Sequence, residues 1–276
     1  MRRILHDLKS NPLAIAGFAV LFLWIFLALA GPSLMNFTYT EMDTQNQIAP
    51  PGTGGHLLGT DALGRDLLAR IVTGSRSILT VALFTSFFST AAGIIIGFSA
   101  GYFGGLVDKI FLRILDVLMS IPALVLAMVI LGVLGDSTIM SLTLMISIAY
   151  IPATARVARG TLLTHKGREY VDAARIMGEN NFSIMFRQIL PNTLGPIIVE
   201  ATARFAYSIM MVASLGFLGV GLQPPTPDWG MMVIENKQII SVAPWSVLYP
   251  ALAIASLVIA ISLISDFFSK VLIHES

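Results

Sequence analysis

Cysteine is absent from this 276-residue sequence, and charge is scarce, with Asp, Glu, Lys and Arg together making up 12%. Without a thiol there can be no disulfide scaffold, thiolate metal site or cysteine nucleophile. A soluble globular domain carries about 25% charged residues, so this chain has roughly half of what a water-facing surface needs. Disorder is excluded too, because disordered chains are charge-rich and apolar-poor, whereas 55% of these residues are apolar and mean hydropathy is +0.81. Seventeen Lys and Arg against 16 Asp and Glu give no basic excess to attract nucleic acid. The four histidines, His6, His56, His165 and His274, are far apart and leave no clustered zinc ligands. A P-loop needs a lysine after glycine, and none of the five lysines follows one. No catalytic site, metal or cofactor of the chain's own is expected.

Long apolar runs are what the sequence does have. About 20 apolar residues cross a bilayer as a helix, and six stretches fit: Leu13–Met35, Ile78–Phe103, Leu115–Leu134, Ile139–Ala155, Thr193–Leu218 and Val247–Phe268. Ser10-Asn11 followed by Pro12 starts the first. The second is rich in small residues (Ala91, Ala92, Gly93, Gly97, Gly101) that let helices approach closely. Arg2-Arg3 and Ala28-Leu29-Ala30 imitate a cleaved secretory signal, but the 18-residue run Leu13–Ala30 exceeds a signal's apolar core. An uncleaved first helix is expected. No histidine lies in a span, which leaves an intramembrane serine–histidine enzyme little room.

Positive charge orients the spans. With the N-terminus inside, Arg2, Arg3, Lys9, Lys109, Arg113, Arg156, Arg159, Lys166, Arg168, Arg175, Arg187 and Lys270 fall on the inner side, 12 of 17. The expectation is an all-α integral membrane protein with six transmembrane helices and both termini cytoplasmic. Residues 1–77 form the tail, first helix and outer loop, and residues 78–276 a five-helix core. The inner loop, 156–192, breaks at Gly178, which makes two short helices with an elbow. Val171, Ala174 and Met177 mark an apolar stripe on the first, and Phe182 to Leu190 forms the second. Such a pair is either a surface-lying connector or a lever that a partner pushes.

Charges near the spans need partners. Glu200 and Arg204, spaced i, i+4 inside the fifth span, read as a structural ion pair or as the lining of a path. Arg113 and Asp116 read as a structural pair. Asp61, Arg65 and Asp66 read either as contacts for another protein or as solvated loop charges. Trp229, after Pro224-Pro225, reads as an interfacial anchor or as a further outer-face partner contact.

Asp172-Ala173-Ala174, then Gly178, then Ile189-Leu190-Pro191 resembles the EAA signature of permease subunits of bacterial ABC importers. The leading glutamate is Asp172 here, and Gln188 stands where isoleucine is expected. Three further stretches resemble the dipeptide/oligopeptide/nickel permease branch: Gly59-Thr60-Asp61-Ala62-Leu63-Gly64-Arg65-Asp66, Asp108 to Pro122, and Ser214 to Gly230. The resemblance covers nearly the whole chain; only the tail after Asp266 departs.

The resemblance implies a type I ABC importer permease fold in the bacterial cytoplasmic (inner) membrane. It implies as partners a homologous second permease, two ATPase subunits that bind ATP and Mg2+, an extracytoplasmic substrate-binding protein and membrane lipid. Glu169, Asp172, Ala173, Ala174, Gly178, Ile189, Leu190 and Pro191 would couple ATP-driven closure to alternating access. Short peptides are the implied cargo, with nickel chelates or glutathione as alternatives. A stand-alone secondary transporter or channel is the different-class alternative, and it leaves the elbow unexplained.

Overall fold

The computed structural model describes residues 7–273. Arg2, Arg3, His6, His274 and the last residues of the divergent tail lie outside the described residues. Helix α1 (Pro12–Leu34) begins where Asn11 accepts a hydrogen bond from the Ala14 amide (3.1 Å), with Pro12 at a position that needs no N–H donor. Helix α2 (Leu67–Phe103) is capped by Asp66, which accepts from the Ala69 amide at 2.7 Å. Its 37 residues run about 55 Å, nearly twice the thickness of a bilayer core.

The sequence placed the second span from Ile78, but the helix starts at Leu67. Its polar first turns persist because Arg70 and Ser75 are buried and find partners within the protein. The 77/78 boundary therefore falls inside α2, whose first turns carry Leu67, Leu68 and Ile71 at helical spacing. At the other end Gly104 and Gly105 have φ of +67° and +54°, a positive-φ pair that ends the helix and turns the chain without a β-carbon penalty.

Helices α3 (Gly105–Met119) and α4 (Ala123–Leu134) replace the expected third span and are bent by 92°. Pro122 at the junction has no amide to donate and pushes the residue before it away from helix. The remaining elements are α5 (Ile139–His165), α6 (Glu169–Ile176), α7 (181–192, π-helical over Ile184–Ile189), α8 (Leu194–Phe217), α9 (Trp229–Asn236) and α10 (Trp245–Ile273). Among the described residues five helices are long and apolar enough to cross a membrane, or six if α3 and α4 form one broken span.

Helices α2 and α5 pack backbone to backbone. A β-carbon on Gly93 would lie 2.7 Å from Thr154, one on Gly97 2.2 Å from the Ala155 carbonyl, and one on Gly101 3.0 Å from Leu162. Three glycines at four-residue spacing thus form one seam, the close approach that small residues permit in membrane helices. Helix α1 lies against α10, where Gly17 meets the Ala260 carbonyl and Trp24 donates to Ser256 (3.0 Å). A large core joins α1, α2, α5, α8, α9 and α10, and a smaller one gathers Phe98, Leu162, Val171, Ala174, Ile184 and Ile189 where the elbow meets the bundle. Elsewhere the helices present exposed apolar side chains such as Phe22, Leu29, Leu83, Phe87, Val133 and Leu252. A girdle of that size suits lipid and not water.

Candidate functional site

The elbow sits at one end of the bundle, and its two faces differ. Val171, Ala174, Ile184 and Ile189 are buried against α2 and α5, while Ile176 is 87%, Met177 73% and Phe182 68% exposed. Glu169, Asp172, Ala173, Gly178 and Pro191 are also exposed, and Leu190 is half-buried. Part of the implied coupling set is thus exposed on the elbow. Ala174 and Ile189 of the same set are buried in the chain's own core. Met177 leaves the expected apolar stripe because α6 ends at Ile176 and the chain turns.

Gly178 makes that turn at φ +81°, with no heavy atom within 4 Å of where a β-carbon would stand. Within the chain the glycine is required by the backbone angle and not by crowding. Beyond it Asn180 caps α7 by accepting from the Ser183 amide (2.7 Å). The middle of α7 widens to π-helix just ahead of Pro191, whose ring cannot tolerate a regular i−4 carbonyl.

Sequence reasoning missed the clasp that sets the elbow angle. The Glu179 carboxylate accepts from Ser183 Oγ (2.7 Å) and from Gln188 Nε2 (2.9 Å). Gln188, odd by the signature, is there to hold Glu179. Tyr102 at the end of α2 donates to Asn181 Oδ1 (3.0 Å), and the Arg175 guanidinium sits 5.7 Å over its ring. These contacts bind the elbow to α2. The exposed Asp172–Arg175 pair (2.9 Å) adds little, as surface ion pairs do.

Glu200 and Arg204 do pair, Nε to Oε1 at 2.6 Å, and Thr154 of α5 donates to the same oxygen at 3.2 Å. The guanidinium also faces the rings of Tyr150 and Tyr207 at 5.3 and 5.2 Å. Arg113 and Asp116 do not pair: Asp116 binds Arg156 (2.6 Å), and Asp108 takes Arg159 through two bonds of 2.6 Å.

At the opposite end, residues 36–66 form an irregular lobe pinned by charges. Asp61 is fully buried, which corrects the reading of a solvated or partner-facing group. Its carboxylate accepts from Arg65 Nε (2.7 Å), from Arg70 Nη1 and from the amides of Leu63 and Arg65. Glu235 of α9 binds both arginines, at 2.8 and 3.0 Å. Asp66 is buried as well, capping α2 and holding His56 Nδ1 at 2.8 Å. Trp229, 1% exposed, is no interfacial anchor: it packs 4.7 Å from Trp24 and donates to the Ile71 carbonyl at 2.9 Å. Glu235 and Arg70 were missed because their partners lie at least 165 residues apart or carry no local signature.

The Ser214–Gly230 stretch encloses Asp228. A β-carbon on Gly216 would meet its Oδ1 at 2.3 Å and one on Gly221 its Oδ2 at 2.9 Å. Burial pushes this carboxyl up to about 6, against the opposing pull of amide hydrogen bonds from Met231, Leu222 and Gly230. A raised folded pKa means stability that is full below about pH 4 and is lost as pH rises through about 6. Asp228→Asn is therefore expected to flatten that fall. Its melting temperature relative to wild type should climb between those pH values by the equivalent of up to about 3 kcal/mol. Thermal unfolding in detergent checks this; parallel curves would refute it.

Several long apolar helices, buried ion pairs and an elbow braced against one end of the bundle define a polytopic membrane protein. Among the described residues no group of three or more His, Asp or Glu side chains could hold a metal ion. Residues 93–274 match the family described as binding-protein-dependent transport system inner membrane component, and residues 1–51 match the N-terminal TM domain of oligopeptide transport permease C. The chain is 37% identical over 265 residues to the dipeptide transport system permease protein DppC of Alkalihalophilus pseudofirmus, covering 96% of this chain and 86% of that one. A glutathione transport system permease protein, GsiD of Pectobacterium atrosepticum, is 36% identical over 94% of this chain and 85% of its own. The fold is that of a chain of the MetNI methionine ABC transporter, with a TM-score of 0.57 at 18% identity over 72% of this chain and 96% of that one.

This chain belongs to the binding-protein-dependent inner-membrane component family, the permease subunits of ABC importers. Members are not themselves catalytic and act with a partner permease, ATPase subunits and a substrate-binding protein.

Proposed function

We propose that this chain is one of two permease subunits of an ATP-driven importer of short peptides in a bacterial cytoplasmic membrane. The elbow faces the cytoplasm and docks on an ATPase subunit; the 36–66 lobe faces the binding protein. Nucleotide-driven closure pulls on α6 and α7, and the bundle alternates access to its path. The observation that carries this reading is the elbow's division of labour. One face is locked into the bundle through Val171, Ala174, Ile184 and Ile189, and the other offers Ile176, Met177 and Phe182 to a partner. A free carrier or channel has no use for a braced apolar surface outside its spans.

The peptide cargo rests on relatives named for dipeptides. Glutathione, itself a short peptide, is the second reading, favoured by the GsiD relative. Reconstitution of the full complex in proteoliposomes tests both. Uptake of labelled dipeptide should require ATP, both ATPase subunits and the binding protein, and unlabelled glutathione should compete poorly. Glutathione uptake without dipeptide uptake would select the second reading, and uptake without ATPase subunits would overturn the proposal.

A further inference from the structure

The segment between the seam helices and α4 has a geometry that a spanning helix does not need. Two ion pairs tie α3 to α5: Asp108 to Arg159 and Asp116 to Arg156. The acids are eight residues apart on α3, about 12 Å, while their arginines are three residues apart on α5, about 4.5 Å. A helix anchored in that way runs across α5 and not beside it. The 92° bend sets α3 nearly perpendicular to α4, and the positive-φ pair Gly104–Gly105 makes the turn at the other end.

The faces of α3 are of three kinds. Leu115 is buried, with Phe111 and Leu112 half-buried beside it, toward the bundle. Leu106, Ile110, Ile114 and Val117 form an exposed apolar stripe at helical spacing. Lys109 and Arg113 are exposed between them. The helix's two acids are consumed by Arg156 and Arg159, and among the described residues neither Lys109 nor Arg113 has a carboxylate partner. Lys166 adds a third cation close to Gly104. Asp116 is itself exposed, but its charge is engaged by Arg156, so the charges left without a partner on the open side of the helix are the cations Lys109 and Arg113.

We infer that α3 lies along the membrane surface at the elbow end, its apolar stripe in the acyl boundary and Lys109 and Arg113 holding anionic lipid headgroups. Transverse orientation, an apolar stripe and cations flanking it are what distinguish a helix lying on a bilayer from one crossing it. Charge complementarity selects anionic lipid as the occupant, since a purely apolar partner would leave both cations unsatisfied. α3 then marks the depth of the interface, level with Arg156 and Arg159. The inference rests on the membrane-spanning fold and not on the coupling role of the elbow.

Because the chain contains no cysteine, Ile110→Cys accepts one fluorescent label on an otherwise unreactive protein. The labelled full chain is placed in nanodiscs, alone and co-expressed with its partner subunits. Acyl-chain spin-labelled phosphatidylglycerol is expected to quench the label more strongly than spin-labelled phosphatidylcholine. Each cation near an anionic surface favours it roughly five-fold, so Lys109→Gln with Arg113→Gln should lower the preference by about 25-fold and leave quenching by phosphatidylcholine. Lys109→Glu with Arg113→Glu should reverse it, and an unchanged melting curve shows that each variant is folded. A label reached by aqueous iodide, a label shielded from both quenchers by a partner subunit, or a lipid contact without headgroup preference would each overturn the inference.

Discussion

Replacing Gly178 by glutamate is expected to reduce binding-protein-stimulated ATP hydrolysis to the basal rate while the rest of the docking surface and the partner permease keep the transporter assembled. The cost within the chain is small. A β-carbon at φ +81° costs about 1–2 kcal/mol, and nothing stands within 4 Å to be displaced. The added carboxylate instead projects from the open corner between α6 and α7, where the proposed partner surface would sit. Buried there without a cation, it would oppose docking by several kcal/mol. Gly178→Asn is the discriminating control, because asparagine tolerates the left-handed angle with a small side chain. It should retain most of the stimulation. ATP hydrolysis measured in proteoliposomes with and without binding protein decides the matter, and normal stimulation in the glutamate variant would remove the elbow from the coupling path.

The second large effect is expected in the lobe. Asp61→Ala removes the acceptor shared by Arg65 and Arg70 and leaves two buried guanidinium groups facing each other with Glu235 alone. Breaking a buried pair by deleting one partner costs about 3–5 kcal/mol, which for a chain of this size lowers the melting temperature by on the order of 10 °C. Asp61→Asn separates two causes. It keeps an oxygen for the amides of Leu63 and Arg65 but supplies no charge. If the charge dominates, the asparagine variant melts nearly as low as the alanine one, and its lobe is cut early in limited proteolysis. An asparagine variant as stable as wild type would show that the amide bonds alone hold the lobe.

The contrast between those two sites reflects what a sequence can carry. Helix positions follow from runs of apolar residues, so α1, α8 and α10 begin and end within a few residues of their expected limits. The start of α2 was hidden because Arg70 and Ser75 read as loop polarity until their partners were known. Pro122 was visible, but a proline sets no angle by itself, and the 92° turn depends on the ion pairs that pull α3 sideways. The turn at Gly178 was legible as a local rule about backbone angles. The Glu179–Gln188 clasp was not, since nothing local says which of several polar residues meet. Asp61, Arg70 and Glu235 are the extreme case, where a network spans most of the chain and each member alone looks like surface charge.

The glycine seam between α2 and α5 has a mechanical consequence. At Gly93, Gly97 and Gly101 helix α2 lends no side chain to the contact with Thr154, Ala155 and Leu162, so the helices are held close enough to tilt together as one beam. The beam carries the elbow at one end and the Asp61–Glu235 cluster at the other, about 55 Å away along α2. Pivoting such a beam about one end by roughly 5° sweeps the opposite end through about 5 Å, close to one helical turn. The leverage is fixed by helix length: a small change of tilt about one face of the bilayer becomes a displacement of several ångströms at the other.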